Sequence, residues 1–175
     1  MDKQQKTVIT VTAILLVLSI IATVAVFLIQ KGKNSFTPPP FDGSAISGMP
    51  TVDNNALQYR KVDVAQGFSF YLAMCPRYED GEAKVYLTSC EDNIAYVRII
   101  LFDSESNVIG ESGLIKPGEY IEGVALSIQP TEKTTIKAKI LSYDPQTYYS
   151  MGASDGELSL IVDNDLSLRL NTKER

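Results

Sequence analysis

The run TTIKAKILSY, residues Thr134 to Tyr143, decides the fold class of this protein. Its apolar residues Ile136, Ala138 and Ile140 alternate with two lysines. A period of two places the apolar side chains on one face of a β-strand and the polar ones on the other. The run therefore predicts a strand in a sheet that has one face on the core and the other in water.

Similar runs lie on both sides of this strand, and turn-forming residues separate them. Ala95 to Phe102 (AYVRIILF) is the most apolar run outside the N-terminal region and is predicted to be a central strand. Asp103 to Asn107 (DSESN) is predicted to be a hairpin turn, and Lys116-Pro117-Gly118-Glu119 has proline and glycine at favoured turn positions. The other predicted strands are Phe68 to Leu72, Ala83 to Thr88, Val108 to Ser112, Tyr120 to Leu126, Glu157 to Val162 and Leu166 to Leu170.

The spacing of these strands predicts the architecture. Strands recur about every 8–15 residues from Leu57 onward, and no helical period interrupts them. This pattern predicts an all-β fold, namely an immunoglobulin-like β-sandwich, with a barrel as the alternative. The predicted sandwich domain covers residues 57–175, a length that suits one domain.

The stretch from Val8 to Ile29 differs from all of these runs, because its 22 residues carry no charge and are rich in Ile, Leu, Val and Ala. As a helix it would be about 33 Å long, enough to cross a hydrocarbon core of about 30 Å. We therefore predict a single transmembrane helix over residues 8–29, which holds the protein in the lipid bilayer as an uncleaved signal anchor. A cleaved signal peptide and a buried helix of a soluble domain are the alternatives.

The charges that flank the apolar stretch predict the topology. Two lysines precede it and two follow it, so the positive-inside asymmetry is slight. From Asn34 onward, 12 basic and 20 acidic residues give a net charge of −8, and such a body is not attracted to nucleic acid or anionic lipid. We predict a cytoplasmic N-terminus over residues 1–7 and an extracytoplasmic body at the cell membrane.

Between the apolar stretch and the first strand, residues 30–56 have no hydrophobic period. Pro38-Pro39-Pro40 favours an extended polyproline segment, and the glycines and serines that follow favour irregular chain. We predict a stalk that lifts the domain off the bilayer. A proline-rich recognition peptide is the alternative.

Cys75 and Cys90 are the only cysteines. In an oxidising compartment they are expected to form a disulfide, which would close a loop of about 15 residues and contribute about 3 kcal/mol in the chain-entropy model. The bond requires that the two Cα atoms lie within about 7 Å of each other. Two unpaired buried thiols are the alternative.

The composition excludes several kinds of catalytic and metal site. The chain contains no histidine, which removes Ser-His-Asp and Cys-His catalysis and His-based zinc sites. The glycine-rich phosphate-binding motifs are also missing from the sequence. We therefore predict a protein that is not an enzyme and that uses no cofactor or metal.

Neighbouring carboxylates remain candidates for acid–base chemistry on glycosides if they lie about 5–9 Å apart, although solvated turn residues are the simpler interpretation. Asp103-x-Glu105-x-Asn107 also resembles the start of a calcium loop. Val108 replaces the glycine of such a loop and Leu114 replaces its final glutamate, so a hairpin turn is predicted. The carboxylate pairs are Glu91 and Asp92, Asp103 and Glu105, and Asp163 and Asp165.

Tyrosines are the candidates for a binding surface. Tyr148 and Tyr149 follow a predicted turn, and exposed tyrosines at the end of a sandwich provide contact area at low entropic cost. A pair with one ring in the core and one at its edge is the alternative. Tyr78 and Tyr86 complete the candidate set, with a glycan as a possible ligand, although the chain lacks Trp, the favoured stacking residue.

The region from Phe102 to Val162 contains Ser112 to Gly118 (SGLIKPG), Ile121 to Leu126 (IEGVAL), Ile140 to Asp144 (ILSYD) and later Gly152-Ala153. These motifs resemble those of small single-pass extracytoplasmic immunoglobulin-like β-sandwich proteins of Gram-positive, Firmicutes-type bacteria. The resemblance covers about 60 residues and rests on turn and core positions. It implies a fold and a location, but no activity and no catalytic residues.

Anchor, stalk and sandwich together predict the function. We expect a non-catalytic, membrane-anchored cell-surface module that presents its β-sandwich to an envelope or surface protein. One alternative is an accessory subunit of a secretion, conjugation or surface-fibre apparatus. Another is a carbohydrate-binding module.

Overall fold

The computed structural model describes residues 12, 14–21, 23 and 36–162. The chain forms two compact units, Met1–Pro38 and Pro39–Arg175. The predicted strand Leu166 to Leu170 and the pair Asp163 and Asp165 lie outside the described residues.

In the first unit, residues 14–21 are helical, and their large apolar side chains are between 54 and 61% exposed. The Ser19 hydroxyl donates a 2.8 Å hydrogen bond to the Leu16 carbonyl, one turn back along the helix. Within the part of the chain that the structure describes, no helix has the length and hydropathy needed to cross a membrane. Much of the predicted span, including residues 24–29, lies outside that part.

The second unit contains twelve strands and one short helix among its described residues. The helix, α1 (Asn54–Leu57), begins after Asp53, whose carboxylate accepts hydrogen bonds from the Asn55 and Ala56 amides as an N-cap. The strands are β1 (Ile46–Ser47), β2 (Tyr59–Val64), β3 (Phe68–Ala73), β4 (Arg77–Glu79), β5 (Glu82–Lys84), β6 (Thr88–Ser89), β7 (Tyr96–Phe102), β8 (Val108–Glu111), β9 (Glu119–Tyr120), β10 (Val124–Ala125), β11 (Thr134–Tyr143) and β12 (Ser150–Val162).

These strands form two sheets, and the prediction of an all-β body is confirmed. The five-stranded sheet has the order β1-β9-β6-β3-β2, and the seven-stranded sheet has the order β10-β5-β4-β12-β11-β7-β8. Neighbours are antiparallel except β12 and β4, which are parallel. Both sheets contribute to one hydrophobic core cluster, which includes Phe70 of β3, Ile99 of β7 and Leu158 of β12.

The regular part of the larger sheet is the ladder formed by β7, β11 and β12. TTIKAKILSY is β11 over its full predicted length, with Ile136, Ala138 and Ile140 each no more than 2% exposed. The run AYVRIILF becomes β7, but it is the sixth of seven strands rather than central, because only the short hairpin strand β8 lies beyond it. The middle position belongs to β12.

Two predicted strands are each divided in the structure. Ala83 to Thr88 becomes β5 and β6, and Tyr120 to Leu126 becomes β9 and β10. Segments 82–89 and 119–125, which we call the crossing pair, run side by side. Both pass from one sheet to the other at the same point. β5 and β10 belong to the seven-stranded sheet, whereas β6 and β9 belong to the five-stranded sheet.

The backbone of the crossing pair changes direction where the sheets change. Tyr86 has a φ of 48°, in the left-handed region that is unfavourable for a bulky residue. Its amide donates a 3.0 Å hydrogen bond to the Glu122 carbonyl, so the two segments stay paired through the change. Opposite it, a Cβ on Gly123 would lie 2.5 Å from a carboxylate oxygen of Glu82 and 3.2 Å from its Cβ, so any larger residue there would displace the Glu82 side chain.

The folded unit begins at Pro39, earlier than the predicted boundary at residue 57. Strand β1 pairs with β9, and the Leu114 amide donates a 2.8 Å hydrogen bond to the Pro40 carbonyl. Residues 39–56, predicted as stalk, are therefore part of the domain. Their pairing partners lie about 70 residues further along the chain, so no local pattern indicates them.

The predicted disulfide is not present, since both cysteines are free. In the antiparallel pairing of β3 with β6, Phe70 stands opposite Ser89, which places Cys90 beside Ser69 at the start of β3. Cys75 follows the other end of β3, and the four steps from Ser69 to Ala73 alone span about 13 Å. This separation exceeds the distance of about 7 Å that a disulfide can bridge.

Candidate interaction surface

Three aromatic rings lie in contact at the end of the ladder where β7 begins and β11 ends. The ring centroids of Phe41 and Tyr96 are 5.0 Å apart in an edge-to-face arrangement, and those of Tyr96 and Tyr148 are 6.0 Å apart. Both distances are within the range of favourable aromatic pairs. We call Phe41, Tyr96 and Tyr148 the aromatic row.

Asp42 fixes the first ring of the row. Its carboxylate accepts a 2.8 Å hydrogen bond from the Gly113 amide, and its own amide donates one of 2.9 Å to the Leu114 carbonyl. A Cβ on Gly113 would lie 2.5 Å from the Asp42 nitrogen, so glycine is needed there. Burial acts to raise the pKa of Asp42, but hydrogen bonds from the Ser44 hydroxyl, the Ser44 amide and the Gly113 amide outweigh it and lower the pKa.

The turn between β11 and β12 fixes the last ring. Asp144 accepts hydrogen bonds from the amides of Gln146, at 2.9 Å, and Thr147, at 2.7 Å, and these bonds lower the pKa of its carboxyl. The Tyr148 amide donates a 2.8 Å bond to the Asp144 carbonyl, and Tyr148 adopts a φ of 57°. A bulky residue in the left-handed region is unfavourable unless its surroundings hold it there. The Asp144 turn and the contact with Tyr96 do so.

The aromatic row is partly exposed, with Tyr96 and Tyr148 half-buried. Phe41 is 43% exposed and Tyr149 is 65% exposed. The Lys116 ammonium lies 5.2 Å from the centroid of the Phe41 ring, at a distance suited to a cation–π interaction. Rings held in fixed positions beside a cation can pack against a protein surface or stack on a sugar, because both contacts use apolar area with polar edges.

The four tyrosines predicted as a binding surface do not come together. Tyr148 and Tyr149 lie just before Ser150, where β12 begins, while Tyr78 pairs with Val162, where β12 ends. The twelve steps between these ends span about 40 Å. Tyr86 lines a 250 Å³ cleft with β4 residues next to Tyr78, and burial raises the pKa of its hydroxyl.

The sequence indicated one ring of the aromatic row and missed the other two. Tyr148 follows a recognisable turn, and that turn is formed as predicted. Phe41 was assigned to a stalk, and Tyr96 was counted as part of an apolar strand. Only the pairing of the segment around Phe41 with Leu114 brings the rings together, and a single sequence carries no signal for that pairing.

The carboxylate candidates are also separated. Asp103 accepts hydrogen bonds from the Glu105 amide and from the amide and side chain of Asn107, which is the predicted hairpin turn. The Asn107 hydrogen bonds lower the pKa of Asp103. Glu91 and Asp92 line a cleft of 520 Å³ on the five-stranded sheet. This cleft therefore brings one of the predicted carboxylate pairs together.

Among residues 36–162 and the described helical residues, no three Cys, Asp or Glu side chains converge in a way that could hold a metal ion. Comparison with known proteins gives no significant match to any family model, curated protein or solved structure. Fold and surface together define an all-β domain with a partly exposed aromatic row at one end of its larger sheet.

Proposed function

We propose that this protein is a non-catalytic, membrane-anchored module at the cell surface, and that its immunoglobulin-like β-sandwich presents the aromatic row to an envelope or surface protein. The single observation that carries the proposal is the row itself, whose rings are fixed by Asp42 at one end and by the Asp144 turn at the other. Fixed aromatic side chains lose little entropy on binding and are enriched in the energetic centres of protein interfaces.

The apolar N-terminal stretch supports the location. All of its described large apolar side chains, over residues 14–21, are more than half exposed, and lipid would cover such surface. The proposed orientation places the acidic body outside. Protease added to intact spheroplasts is expected to digest this body, and protection of the body until the membrane is permeabilised would contradict the orientation.

Photo-crosslinking in the native membrane tests the interaction surface. Benzoylphenylalanine replaces Tyr149 in one strain and Val108 in another, and adducts are identified by mass spectrometry. Val108 is a matched control because it is 54% exposed and stands opposite Phe102, six strand steps or about 20 Å from Tyr96. We expect a protein adduct from position 149 and none from position 108.

A second pair of variants links the adduct to the aromatic row. Phe41→Ala removes the ring that is held beside Lys116, and it is expected to lower the yield of the position 149 adduct several-fold without changing the protein level. Val108→Ala should leave the yield unchanged. Equal adducts from positions 149 and 108, or none from either, would overturn the proposal.

The same surface supports a carbohydrate-binding module as the second candidate, because the side chains of Tyr149 and Phe41 are exposed there. A glycan array probed with the full-length protein in detergent separates the two functions. Specific glycan signals that disappear in Tyr149→Ala would favour carbohydrate binding. An accessory subunit of a secretion, conjugation or surface-fibre apparatus predicts instead that crosslinks also form within the apolar stretch.

The proposal also excludes catalysis, which the cleft beside Glu91 and Asp92 makes testable. Panels of chromogenic glycosides and peptidoglycan fragments are expected to show no turnover. Turnover that is abolished in Glu91→Gln or Asp92→Asn, with unchanged folding, would assign the protein to the carboxylate hydrolases instead.

A further inference from the structure

The cleft on the five-stranded sheet has a volume of 520 Å³, and none of its described lining residues belongs to the aromatic row. This volume is within the range of about 300–1,000 Å³ that small-molecule sites occupy. Tyr71 of β3 lines the cleft, and Met49 and Pro117 add apolar side chains. The cleft therefore combines the size of a small-molecule site with an aromatic ring and apolar walls.

The Tyr71 ring is held in place by its neighbours. It stacks on the Tyr59 ring, with the ring centroids 5.5 Å apart and an angle of 23° between the ring planes. The hydroxyls of Tyr59 and Thr88 share a 2.6 Å hydrogen bond, and Thr88 stands opposite Tyr71 in the sheet. Burial raises the pKa of Tyr59 to about 12, so this hydroxyl stays protonated. A ring that is already fixed loses little entropy when a ligand packs on it.

The loop that follows β6 places two carboxylates at the same cleft. Glu91 and Asp92 both line it, and both are exposed. The buried Asn93 side chain anchors the loop, because it accepts a 2.8 Å hydrogen bond from the Ser69 amide and donates one of 2.7 Å to the Ser69 carbonyl. Glu91 also lies against the neighbouring turn, since a Cβ on Gly118 would be 3.8 Å from the Glu91 Cγ. Two hydrogen-bond acceptors are thus presented at one side of the cleft.

The lining of the cleft also includes a cation. Lys61 stands opposite Tyr71 on β2, and its ammonium lies 3.0 Å from the Asp63 carboxylate, which holds it in position. A cationic ligand would be repelled by Lys61, and an anionic ligand would be repelled by Glu91 and Asp92. Repulsion of this kind selects among ligands as attraction does. The mixture of charges favours a neutral ligand with several hydroxyl groups, which can both donate and accept hydrogen bonds.

We propose that this cleft is a binding site for a neutral saccharide, independent of the aromatic row. The apolar face of a sugar ring packs on Tyr71, and its hydroxyls donate hydrogen bonds to the carboxylates of Glu91 and Asp92. The Lys61 ammonium donates to a sugar oxygen. The observation that carries the inference is the combination of an aromatic ring, apolar walls and both signs of charge in one cleft.

A glycan array tests the proposal, probed with the full-length protein in a detergent that has no sugar headgroup. We expect signals from neutral glycans that Tyr71→Ala lowers by about tenfold or more, whereas Tyr71→Phe, which keeps the ring, retains them. Glu91→Gln and Asp92→Asn should each lower the signals several-fold. Glu132→Gln should leave them unchanged, because it removes the same charge from an exposed carboxylate outside the lining of the cleft. Circular dichroism checks that each variant is folded.

Alkylation of the cysteines gives a second measurement that needs no substitution. Cys90 lines the cleft and is 7% exposed, whereas Cys75 follows the other end of β3. The neutral glycan with the strongest array signal should slow the reaction of N-ethylmaleimide with Cys90 several-fold and leave its reaction with Cys75 unchanged.

Four results would overturn the proposal. They are no array signal, signals confined to charged glycans, signals that persist unchanged in both Tyr71→Ala and Glu91→Gln, and equal alkylation of Cys90 with and without the glycan. Signals that are lost in Tyr149→Ala but kept in Tyr71→Ala would place the sugar on the aromatic row and would overturn it too. The adduct from position 149 reports on the protein partner of the aromatic row, so its presence or absence leaves this test unaffected.

Discussion

The ladder of β7, β11 and β12 and the crossing pair of segments 82–89 and 119–125 both contribute buried side chains to the core, but they are organised differently. In the ladder, buried residues alternate with less buried ones along the whole of β7 and β11, and β11 keeps β7 and β12 as its neighbours over most of its length. In the crossing pair, alternation also continues, with Ala83, Val85 and Leu87 all 0% exposed. The backbone nevertheless changes sheet between Lys84 and Thr88.

This difference shows that alternation determines which side chains are buried but not which strand pairs with which. A strand is locally stable in either sheet as long as its apolar face meets the core. The first segment changes sheets at Tyr86, where its partner segment changes sheets too. Gly123 in the partner segment has no side chain, which lets the two segments lie close together. The following predictions test how firmly each region is packed.

The largest effect is expected from core truncations in the two regions. Ile99 in the ladder and Leu87 in the crossing pair are both 0% exposed. Ile99→Ala and Leu87→Ala should each lower the free energy of unfolding by about 2–5 kcal/mol. Guanidinium denaturation followed by circular dichroism measures both. A loss below about 1 kcal/mol in Leu87→Ala alone would mean that the crossing pair is loosely packed.

A smaller effect is expected at the close approach within the crossing pair. Gly123→Ala places a Cβ 2.5 Å from the Glu82 oxygen that pairs with Lys84 and 3.2 Å from the Glu82 Cβ, so Glu82 must move and the free energy of unfolding should fall by about 1 kcal/mol. Gly156→Ala in the ladder is the control, because nothing lies within 4 Å of the new Cβ. Its expected change is a stabilisation of up to about 1 kcal/mol from the lost freedom of the unfolded chain. Equal effects at both sites would contradict the structure.

The next effect is a pH dependence at Asp42, which connects the first residues of the domain to the loop after β8. The pKa of Asp42 is lowered in the folded state, so its contribution is fully present above the unfolded pKa of about 3.9 and is lost as the pH falls through the folded pKa. Asp42→Asn should lower Tm at pH 7, and the difference from the unchanged protein should disappear as the pH falls through the lowered pKa of Asp42. A difference that stays constant with pH would contradict this account.

The smallest effect is expected from reductant. Cys90 follows the first segment of the crossing pair and Cys75 follows β3, at opposite ends of the same strand pairing. Dithiothreitol added to protein that was prepared under oxidising conditions should therefore leave Tm unchanged. A fall of several degrees would indicate a bridge of about 3 kcal/mol and would require a different register between β3 and β6.

The predictable part of the fold is the part that short-range pattern specifies. β11 has its predicted bounds, and the Asp103–Asn107 hairpin is formed. β7 begins at Tyr96, one residue later than predicted. The unpredicted parts depend on distant partners. The segment around Phe41 pairs with Leu114, and the separation of Cys75 from Cys90 follows from the register of β6 on β3.

The sequence by itself determined that this protein has an uncharged apolar stretch of 22 residues near its N-terminus and an acidic, all-β body after it. Composition and a period of two are sufficient for this, because they report which side chains leave water. Only the tertiary structure decided where β5, β6, β9 and β10 change sheets, that the cysteines stay apart, and that Phe41, Tyr96 and Tyr148 meet. Those features follow from hydrogen-bond register and close backbone approach between residues far apart in the chain, and alternation carries no information about either.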